Sequence, residues 1–170
     1  GDFHDPIFGC QRRAGKPGGA SVADVTDIHD HRFRDLDLMT FHDLLRLRIG
    51  VFVVEQECAY AELDGRDTEP DTRHIWLGGI SGPMAYLRVL VEPGGASRIG
   101  RVATLAAARG NGLAGVLLDH VHATTPDPLV MDAQTYLVPW YTSMGYQRSG
   151  PEFIEDGIAH VPMTREPTGD

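Results

Sequence analysis

The sequence predicts one α/β domain with a mixed, mostly antiparallel central sheet and flanking helices. Two observations carry this prediction. A series of short strand-like segments is separated by glycine and proline turns, and a strand, helix and strand unit follows, ending in a hairpin signal. With 170 residues, of which 42% are apolar, the chain is large enough for one hydrophobic core. The order of meander, crossover and hairpin therefore indicates a single mixed sheet.

The first part of the chain lacks the periodicity of a folded segment. Residues 1–22 combine scattered Gly, Pro, Arg and Lys, so we predict a flexible N-terminal tail there. Residues 23–170 are predicted to form the single domain.

The first predicted helix begins near Thr40. In Thr40-Phe41-His42-Asp43 the threonine hydroxyl is expected to accept from the Asp43 amide, and apolar residues then recur at helical spacing. Arg48 lies on the inner side of this helix and needs an anionic partner, for which Glu55 and Asp64 are the candidates. Such a pair could shape a substrate pocket or anchor the following loop, and the sequence leaves both roles open.

An acidic, turn-rich loop separates this helix from the first predicted strands. Residues Glu55 to Arg73 contain Asp64-Gly65 and Glu69-Pro70-Asp71, which are typical of turns, and loops of this length are often functional. Three strand-like segments follow, and the Gly-Gly, Gly-Pro and Pro-Gly-Gly signals between them predict antiparallel connections. These segments are His74 to Leu77, Met84 to Val91 and Arg98 to Thr104.

The second half of the chain is predicted as a crossover followed by a hairpin. An amphipathic helix is followed by a short apolar strand, and then by a shorter helix that has a proline near its start and a glycine after its end. Asp156-Gly157 is a strong two-residue turn signal between the two arms of a hairpin. The predicted elements are Leu113 to Val121, Leu129 to Asp132, Val138 to Met144, Phe153 to Ile154 and Ile158 to Met163.

Glycines cluster where the third strand of the meander gives way to the amphipathic helix. Consecutive backbone N–H groups in Gly110 to Gly115 can approach a diphosphate there, under the positive end of the helix dipole. The same residues fit the dinucleotide pattern G-x-G-x-x-G, with Asp132 as a ribose-binding carboxylate. Leu105 to Arg109 intervene between strand and glycine, and the unit follows an antiparallel meander, so a nicotinamide or flavin site is disfavoured. A glycine turn in which Gly115 only allows close packing of the helix is the remaining alternative.

Composition and charge exclude several classes of protein. A formal charge of -9 argues against a nucleic-acid binder, since phosphate neutralisation needs a basic face, and favours a small-molecule partner. Cys10 and Cys58 are too few for a disulfide framework or a zinc site, so we expect a reducing, cytoplasmic location. No apolar run approaches the roughly 20 residues of a membrane span, so no membrane association is expected. The histidines show no metal-ligand spacing, and no metal is predicted.

Several motifs together resemble one known family. Arg109-x-x-Gly112-x-Ala114, after the strand Ile99 to Thr104, resembles the acetyl-CoA-binding motif Q/R-x-x-G-x-G/A of the GNAT superfamily of N-acetyltransferases. Other stretches are similar to its ElaA-type subfamily, and the resemblance runs from about Asp27 to Glu166. Those stretches are Arg48 with Val51-Phe52-Val53-Val54-Glu55-Gln56, Cys58, Leu63-Asp64-Gly65, Arg73-His74-Ile75, Asp132-Ala133-Gln134, Leu137, Tyr141, Gly145-Tyr146 and Glu155-Asp156-Gly157-Ile158-Ala159-His160.

The resemblance implies a GNAT-like fold in which a pair of neighbouring strands splays apart at the cofactor site. It implies acetyl-CoA as co-substrate and direct transfer of the acetyl group to an amine of a small molecule or peptide. Backbone groups near Val102 and Thr104 would then hold the pantetheine and the thioester carbonyl. The residues expected to contact the cofactor are Val102, Ala103, Thr104, Arg109, Gly110, Asn111, Gly112, Leu113, Ala114, Gly115 and Gln134.

Catalytic roles follow from the same resemblance and from the needs of the reaction. Tyr141 matches the superfamily's general acid, which protonates the departing thiolate. Candidates for the general base or for acceptor contacts are Arg48, Glu55, Asp64, His74 and His160. Two other functions remain open, an acyl-CoA-binding regulator without turnover and an acyl-homoserine-lactone-synthase-like acyltransferase. Self-association, including a homodimer, is also left open.

Overall fold

The computed structural model describes residues 27–57, 60–79 and 82–167. The predicted tail at residues 1–22 and Cys58 lie outside the described residues. Within them, the strands form one eight-stranded sheet in the order β1-β2-β3-β4-β5-β8-β6, with β7 paired to β8. The strands are β1 Asp27–Arg32, β2 Arg73–Gly79, β3 Gly82–Val91, β4 Ser97–Thr104, β5 Leu129–Gln134, β6 Gln147–Arg148, β7 Phe153–Glu155 and β8 Ile158–Arg165.

Helices flank this sheet. They are α1 Leu38–Arg48, α2 Leu113–Thr124 and α3 Val138–Ser143. A π-helical segment, Ile49–Glu55, continues α1, and short 3-10 turns lie at Phe33–Asp35, Arg66–Thr68, Ala106–Ala108 and Thr135–Leu137.

The sheet is mixed and mostly antiparallel, as the sequence predicts. Strands β1 to β4 form an antiparallel meander, α2 crosses over, and β5 lies parallel to β4 before pairing antiparallel with β8. All three predicted meander strands, the crossover helix and the hairpin are confirmed. The sequence did not predict β1, whose side chains are exposed or half-buried and therefore lack an apolar alternation. It also missed β6, which is only two residues long.

Strands β4 and β5 diverge after a short paired stretch. They pair only at Ser97 with Leu129 and at Arg98 with Val130, so the remainder of both strands opens into a cleft. The part of β4 that no longer pairs with β5 contains a β-bulge in its pairing with β3. There, Arg101 and Val102 are both opposite Leu87 of β3. Arg101 takes a left-handed conformation there with a φ of 55°. The resemblance implied this splayed pair, and the fold contains it.

Both faces of the central strands are covered by helices. On one face Leu117, Leu118 and Val121 of α2 are fully buried in a cluster that includes the side chains of Ile75 and Leu87. The opposite face carries a second cluster, in which Leu44, Leu47 and Val51 pack with Trp76, Tyr86 and Ala103. Burying one such apolar side chain stabilises the fold by about 1.5–3 kcal/mol. Helix packing on both faces fixes β4 in place between α1 and α2.

The beginning of α1 differs from the sequence prediction. Asp37, not Thr40, is the N-cap, and its carboxylate accepts from the backbone N–H groups of Met39 and Thr40, both at 2.9 Å. The Thr40 hydroxyl donates to the other Asp37 oxygen at 2.6 Å. The predicted cap was wrong because the Asp37 carboxylate, three residues upstream of Thr40, already satisfies the first-turn amides.

The hairpin turn follows the prediction in detail. Asp156 and Gly157 have φ angles of 49° and 79°, the two positive values that a type I′ turn needs. This turn carries β7 into β8 and projects Glu155 and Asp156 over the mouth of the β4–β5 cleft.

Candidate active site

The glycine loop forms an open cradle at the start of α2. Gly112 is the N-cap of α2 in a left-handed conformation, with a φ of 73°, and no side chain caps the helix. An added Cβ at Gly110, Gly112 or Gly115 would meet no atom within 4 Å. The first amides of an α-helix have no intrahelical acceptor and bind anions well. The cradle therefore presents free backbone donors and space for a diphosphate.

The absence of neighbours around Gly115 removes one interpretation of the sequence. If this glycine served close packing of α2, an added Cβ would collide with the sheet, yet it would meet nothing within 4 Å. The Asn111 side-chain amide closes the loop by donating to the carbonyls of Ala108 and Arg109, at 3.0 and 3.2 Å.

Arg109 ties the cradle to the end of the π-helical segment. Its terminal nitrogens donate to the two Glu55 carboxylate oxygens at 2.6 and 2.8 Å, and its Nε donates to the Thr104 carbonyl at 3.1 Å. The hydrogen bond from Arg109 lowers the pKa of Glu55. Both side chains are largely exposed. Glu55, a sequence candidate for acceptor binding, thus lies at the cradle and carries an ion pair.

A cavity of about 460 Å³ occupies the cleft where β4 and β5 part. Five of the sequence-predicted site residues line it, namely Asp64, Val102, Gln134, Tyr141 and His160. Arg48, Glu55, His74, Ala103, Thr104 and the glycine loop do not line it. The rest of the wall includes Phe52, Tyr60, Arg88, Arg98, Arg101 and Ile158.

Tyr141 reaches the cavity from α3. The residue is only 4% exposed, and its ring packs against the rings of Trp140 and Tyr146, with centroid distances of 4.7 and 5.8 Å. Burial, with a smaller contribution from nearby Tyr136, raises the pKa of the Tyr141 phenol. The phenol therefore carries its proton at neutral pH and can act as a donor.

His160 faces the cavity from β8, opposite Gln134 of β5. Its Nδ1 lies 2.9 Å from the Ile158 carbonyl oxygen. Because a carbonyl only accepts, Nδ1 must carry the proton, which leaves the lone pair of a neutral ring on Nε2. The ring also stacks on Phe153 at 5.8 Å. His160 is thus held in one tautomer, with a basic nitrogen that the Ile158 contact does not use.

Asp64 lines the same cavity but is bound by arginine. Arg88 donates to both of its oxygens, at 2.9 and 2.5 Å, and the backbone N–H of Arg66 donates at 3.0 Å. Burial acts to raise the pKa of Asp64, but these hydrogen bonds and the arginine charges outweigh it and lower the pKa to about 2. A carboxylate this weakly basic cannot hold an amine proton at neutral pH.

A buried ionic network ties the acidic loop to the sheet. Arg48 of α1, fully buried, bonds Glu62 and, at 2.7 Å, Asp67. The predicted partners of Arg48, Glu55 and Asp64, were therefore wrong, because the chain folds Glu62 and Asp67 onto α1 instead.

Two strand arginines complete the network. Arg88 of β3 bonds Asp64 and Asp67, and the Nε of Arg101 in the β4 bulge lies 2.8 Å from a Glu62 oxygen, at an angle that does not suit a hydrogen bond. Sequence reasoning missed both arginines. A charged residue inside the apolar run Met84 to Val91 was the one signal for Arg88, since a buried strand arginine needs a carboxylate partner.

His74 belongs to the support of this network. It is fully buried, with Nε2 3.0 Å from the Asp67 carbonyl and Nδ1 2.8 Å from the Tyr86 hydroxyl. Burial lowers the pKa of His74. Both ring nitrogens of His74 are hydrogen-bonded, so neither is available to a substrate. This candidate base instead anchors the acidic loop to the sheet.

Comparisons with known proteins agree with this geometry. Residues 84–167 match the acetyltransferase (GNAT) domain family. A UPF0039 protein of Mycobacterium tuberculosis is 46% identical over 141 residues, covering 80% of this chain and 90% of that protein. Protein ElaA of Escherichia coli is 35% identical over 152 residues, covering 84% of this chain and 97% of that protein. The crystal structure of an acyl-CoA N-acyltransferase from Pseudomonas aeruginosa superposes with a TM-score of 0.76 at 36% identity, covering 82% of this chain and 99% of that one.

The fold, the splayed strands and these relatives define a class of acyl-CoA-dependent acyltransferase. The chain belongs to the GNAT superfamily, in the family that includes protein ElaA. In the described part of the chain, no helix is long and apolar enough to span a membrane. The same residues contain no group of His, Cys, Asp and Glu side chains suited to hold a metal ion.

Proposed function

We propose that this protein is an acetyl-CoA-dependent N-acetyltransferase that transfers the acetyl group directly to an amine. The observation that carries the proposal is that one strand leads from one open space to another. β4 forms one wall of the 460 Å³ cavity that contains Tyr141, and residues 105–112 connect the end of β4 to the uncapped cradle at the start of α2. One ligand with a diphosphate at one end and a reactive group at the other would fill both.

Backbone groups would hold most of the cofactor. The amides of Gly112 to Gly115 would bind the diphosphate, and Arg109 would contribute a cation once the diphosphate competes with Glu55. The pantetheine would extend between the diverging parts of β4 and β5. The bulge at Arg101 and Val102 interrupts the ladder with β3, and a backbone N–H left unpaired there would be the donor to the thioester carbonyl.

The reaction needs an acid and a base on opposite sides of the thioester. The amine nitrogen forms a bond to the carbonyl carbon while the bond from carbon to sulfur breaks. Tyr141 gives its phenolic proton to the departing thiolate, and His160 accepts the proton that the amine loses, directly or through one water. Solvent then returns a proton to Tyr141 and removes one from His160, so the cycle closes.

His160 is favoured as base over the other candidates because of what each already binds. Glu55 is paired with Arg109, Asp64 has a pKa of about 2, and both nitrogens of His74 are engaged. Only His160 combines a place in the cavity wall with a tautomer that leaves Nε2 as the lone-pair nitrogen.

The test measures thiol release from acetyl-CoA across a panel of primary amines. We expect turnover by the wild type, and a loss of about 10²–10⁴-fold in kcat for Tyr141→Phe without weaker CoA binding. His160→Gln should lower kcat for the amines that the wild type acetylates, without weaker CoA binding. Tight CoA binding without thiol release for any amine would instead support a regulator without turnover. Unchanged kcat in Tyr141→Phe at every pH would exclude its proposed role.

A further inference from the structure

Tyr60 lies in the cavity wall with its hydroxyl already committed as a donor. The side chain is half-buried, lines the cavity, and donates its O–H to Glu62 Oε2. Burial and this bond to Glu62 both raise the pKa of the Tyr60 phenol, so the proton stays on the oxygen. Since the single proton points at Glu62, only lone pairs of the Tyr60 oxygen remain for a ligand.

The orientation of this hydroxyl is fixed from behind. Glu62 is 5% exposed, and Arg48 binds its other oxygen, Oε1. Arg101 lies against the same Glu62 oxygen that Tyr60 uses, at 2.8 Å. Because both Glu62 oxygens face arginine donors, they act as acceptors, and the Tyr60 hydroxyl is held as the donor. Glu62 is a positioning residue in this arrangement, since it does not line the cavity.

Tyr60 is also placed beside the bulge that the proposed function uses. The guanidinium carbon of Arg101 lies over the Tyr60 ring, 5.1 Å from its centroid. Arg101 is the left-handed residue that precedes Val102 in the bulge. The Tyr60 ring therefore lies against the side chain of a bulge residue of β4, and Tyr60 lines the same cavity as His160.

Two carboxylates of the cavity wall are poor alternatives for contacting an incoming amine. Asp64 is held by Arg88 at both oxygens, and Asp132 accepts from Arg98 at 2.6 Å. A phenol oxygen with a free lone pair in the cavity wall is a neutral acceptor that suits an uncharged N–H donor.

We propose that Tyr60 receives the acceptor amine: its oxygen accepts a hydrogen bond from an amine N–H and aims the nitrogen lone pair at the thioester carbon. This inference rests on the proposed function and deepens it. It names the acceptor class as a neutral primary amine. One N–H donates to Tyr60 and stays on the nitrogen of the amide product, and the other is the proton that passes to His160.

The experiment compares two bisubstrate probes that differ in one atom. In both, the CoA sulfur carries a CH₂–CO group, joined to benzylamine as an amide in one probe and to benzyl alcohol as an ester in the other. Only the amide can donate to Tyr60. We expect the wild type to bind the amide about three- to tenfold more tightly than the ester, the range for one neutral hydrogen bond. Tyr60→Phe should bind both probes equally and should bind CoA itself as the wild type does.

Tyr146→Phe is the matched control. Like Tyr60→Phe, it removes a phenol hydroxyl that is hydrogen-bonded to another side chain, here His122 at 3.1 Å. Unlike Tyr60, Tyr146 does not line the cavity. This variant should keep the preference for the amide, whatever it loses in thermal stability. A preference that persists in Tyr60→Phe, or that is absent from the wild type while CoA binds, would overturn the inference and leave the proposed function standing. Failure of the wild type to bind CoA at all would overturn both.

Discussion

Gly115 stands in the first turn of α2, where alanine would make a better helix. Its conformation is helical and an added Cβ would meet nothing within 4 Å, so Gly115→Ala introduces neither backbone strain nor a clash. Replacing a helical glycine by alanine typically gains about 0.5–1 kcal/mol. In a domain of this size that gain corresponds to a rise in Tm of roughly 1–4 °C.

Binding of CoA should change in the opposite direction. In the proposed complex the diphosphate lies against the amides at the start of α2, and a methyl group on residue 115 would hold it away from them. Losing one charge-assisted hydrogen bond costs about 1.5–3 kcal/mol, which is about tenfold or more in Kd. Isothermal titration with CoA and a thermal melt on the same sample measure both quantities.

The matched control is Gly50→Ala. Gly50 also lies in a helical segment, and its added Cβ likewise meets nothing within 4 Å, but it is outside the cradle and the cavity wall. It should gain stability similarly and leave the Kd unchanged. If Gly115→Ala binds CoA as tightly as the wild type, the diphosphate does not lie on the first turn of α2, and the cofactor placement above is refuted.

Three further predictions concern the charged groups. Glu55→Gln should tighten CoA binding, because Arg109 is released for the diphosphate; weaker binding in titration would mean that Glu55 orients Arg109 instead. Arg48→Met should lower the free energy of unfolding in urea by about 3–5 kcal/mol, since Glu62 and Asp67 stay buried with one partner fewer, and a loss below about 1 kcal/mol would contradict this. Because the pKa of Asp64 is lower in the folded state, its carboxylate stabilises the fold fully at pH values above the unfolded pKa near 4. This stabilisation is lost as the pH falls to about 2. In thermal melts at acid pH, Asp64→Asn should therefore lose less stability than the wild type over this range.

The elements that sequence reasoning found are those with local causes. Glycine and proline turns delimit β2 to β4, and the Asp156-Gly157 dipeptide can take two positive φ angles, so hairpin and meander follow from a few residues each. Strand β1 has no such cause. Its pairing with β2 is non-local, and its side chains face solvent on an edge, where no apolar alternation is required.

The acidic loop shows why partners are harder to predict than elements. The length of this loop suggested a functional role for it, yet its residues Glu62, Asp64 and Asp67 all bind arginines. Those arginines come from α1, β3 and β4, between 14 and 39 positions away along the chain. The pairing of each acid with its arginine depends on the path of a turn-rich loop. Hydropathy and periodicity do not predict that path.

His74 and His160 make the same point for catalysis. Both histidines lie on strands of the same sheet, and nothing in the sequence favours either one as the general base. A histidine acts as a base only if one nitrogen is left without a proton and faces the substrate. In His74, Nε2–H donates to the Asp67 carbonyl and Nδ1 accepts from the Tyr86 hydroxyl. In His160, Nδ1–H donates to the Ile158 carbonyl, and the ring lines the cavity. The two histidines therefore differ in which ring nitrogen donates to a backbone carbonyl and in whether the other nitrogen can reach the cavity. Replacing Tyr86 by Phe should leave Nδ1 of His74 without a hydrogen bond. It should not create a base, because that nitrogen stays buried away from the cavity.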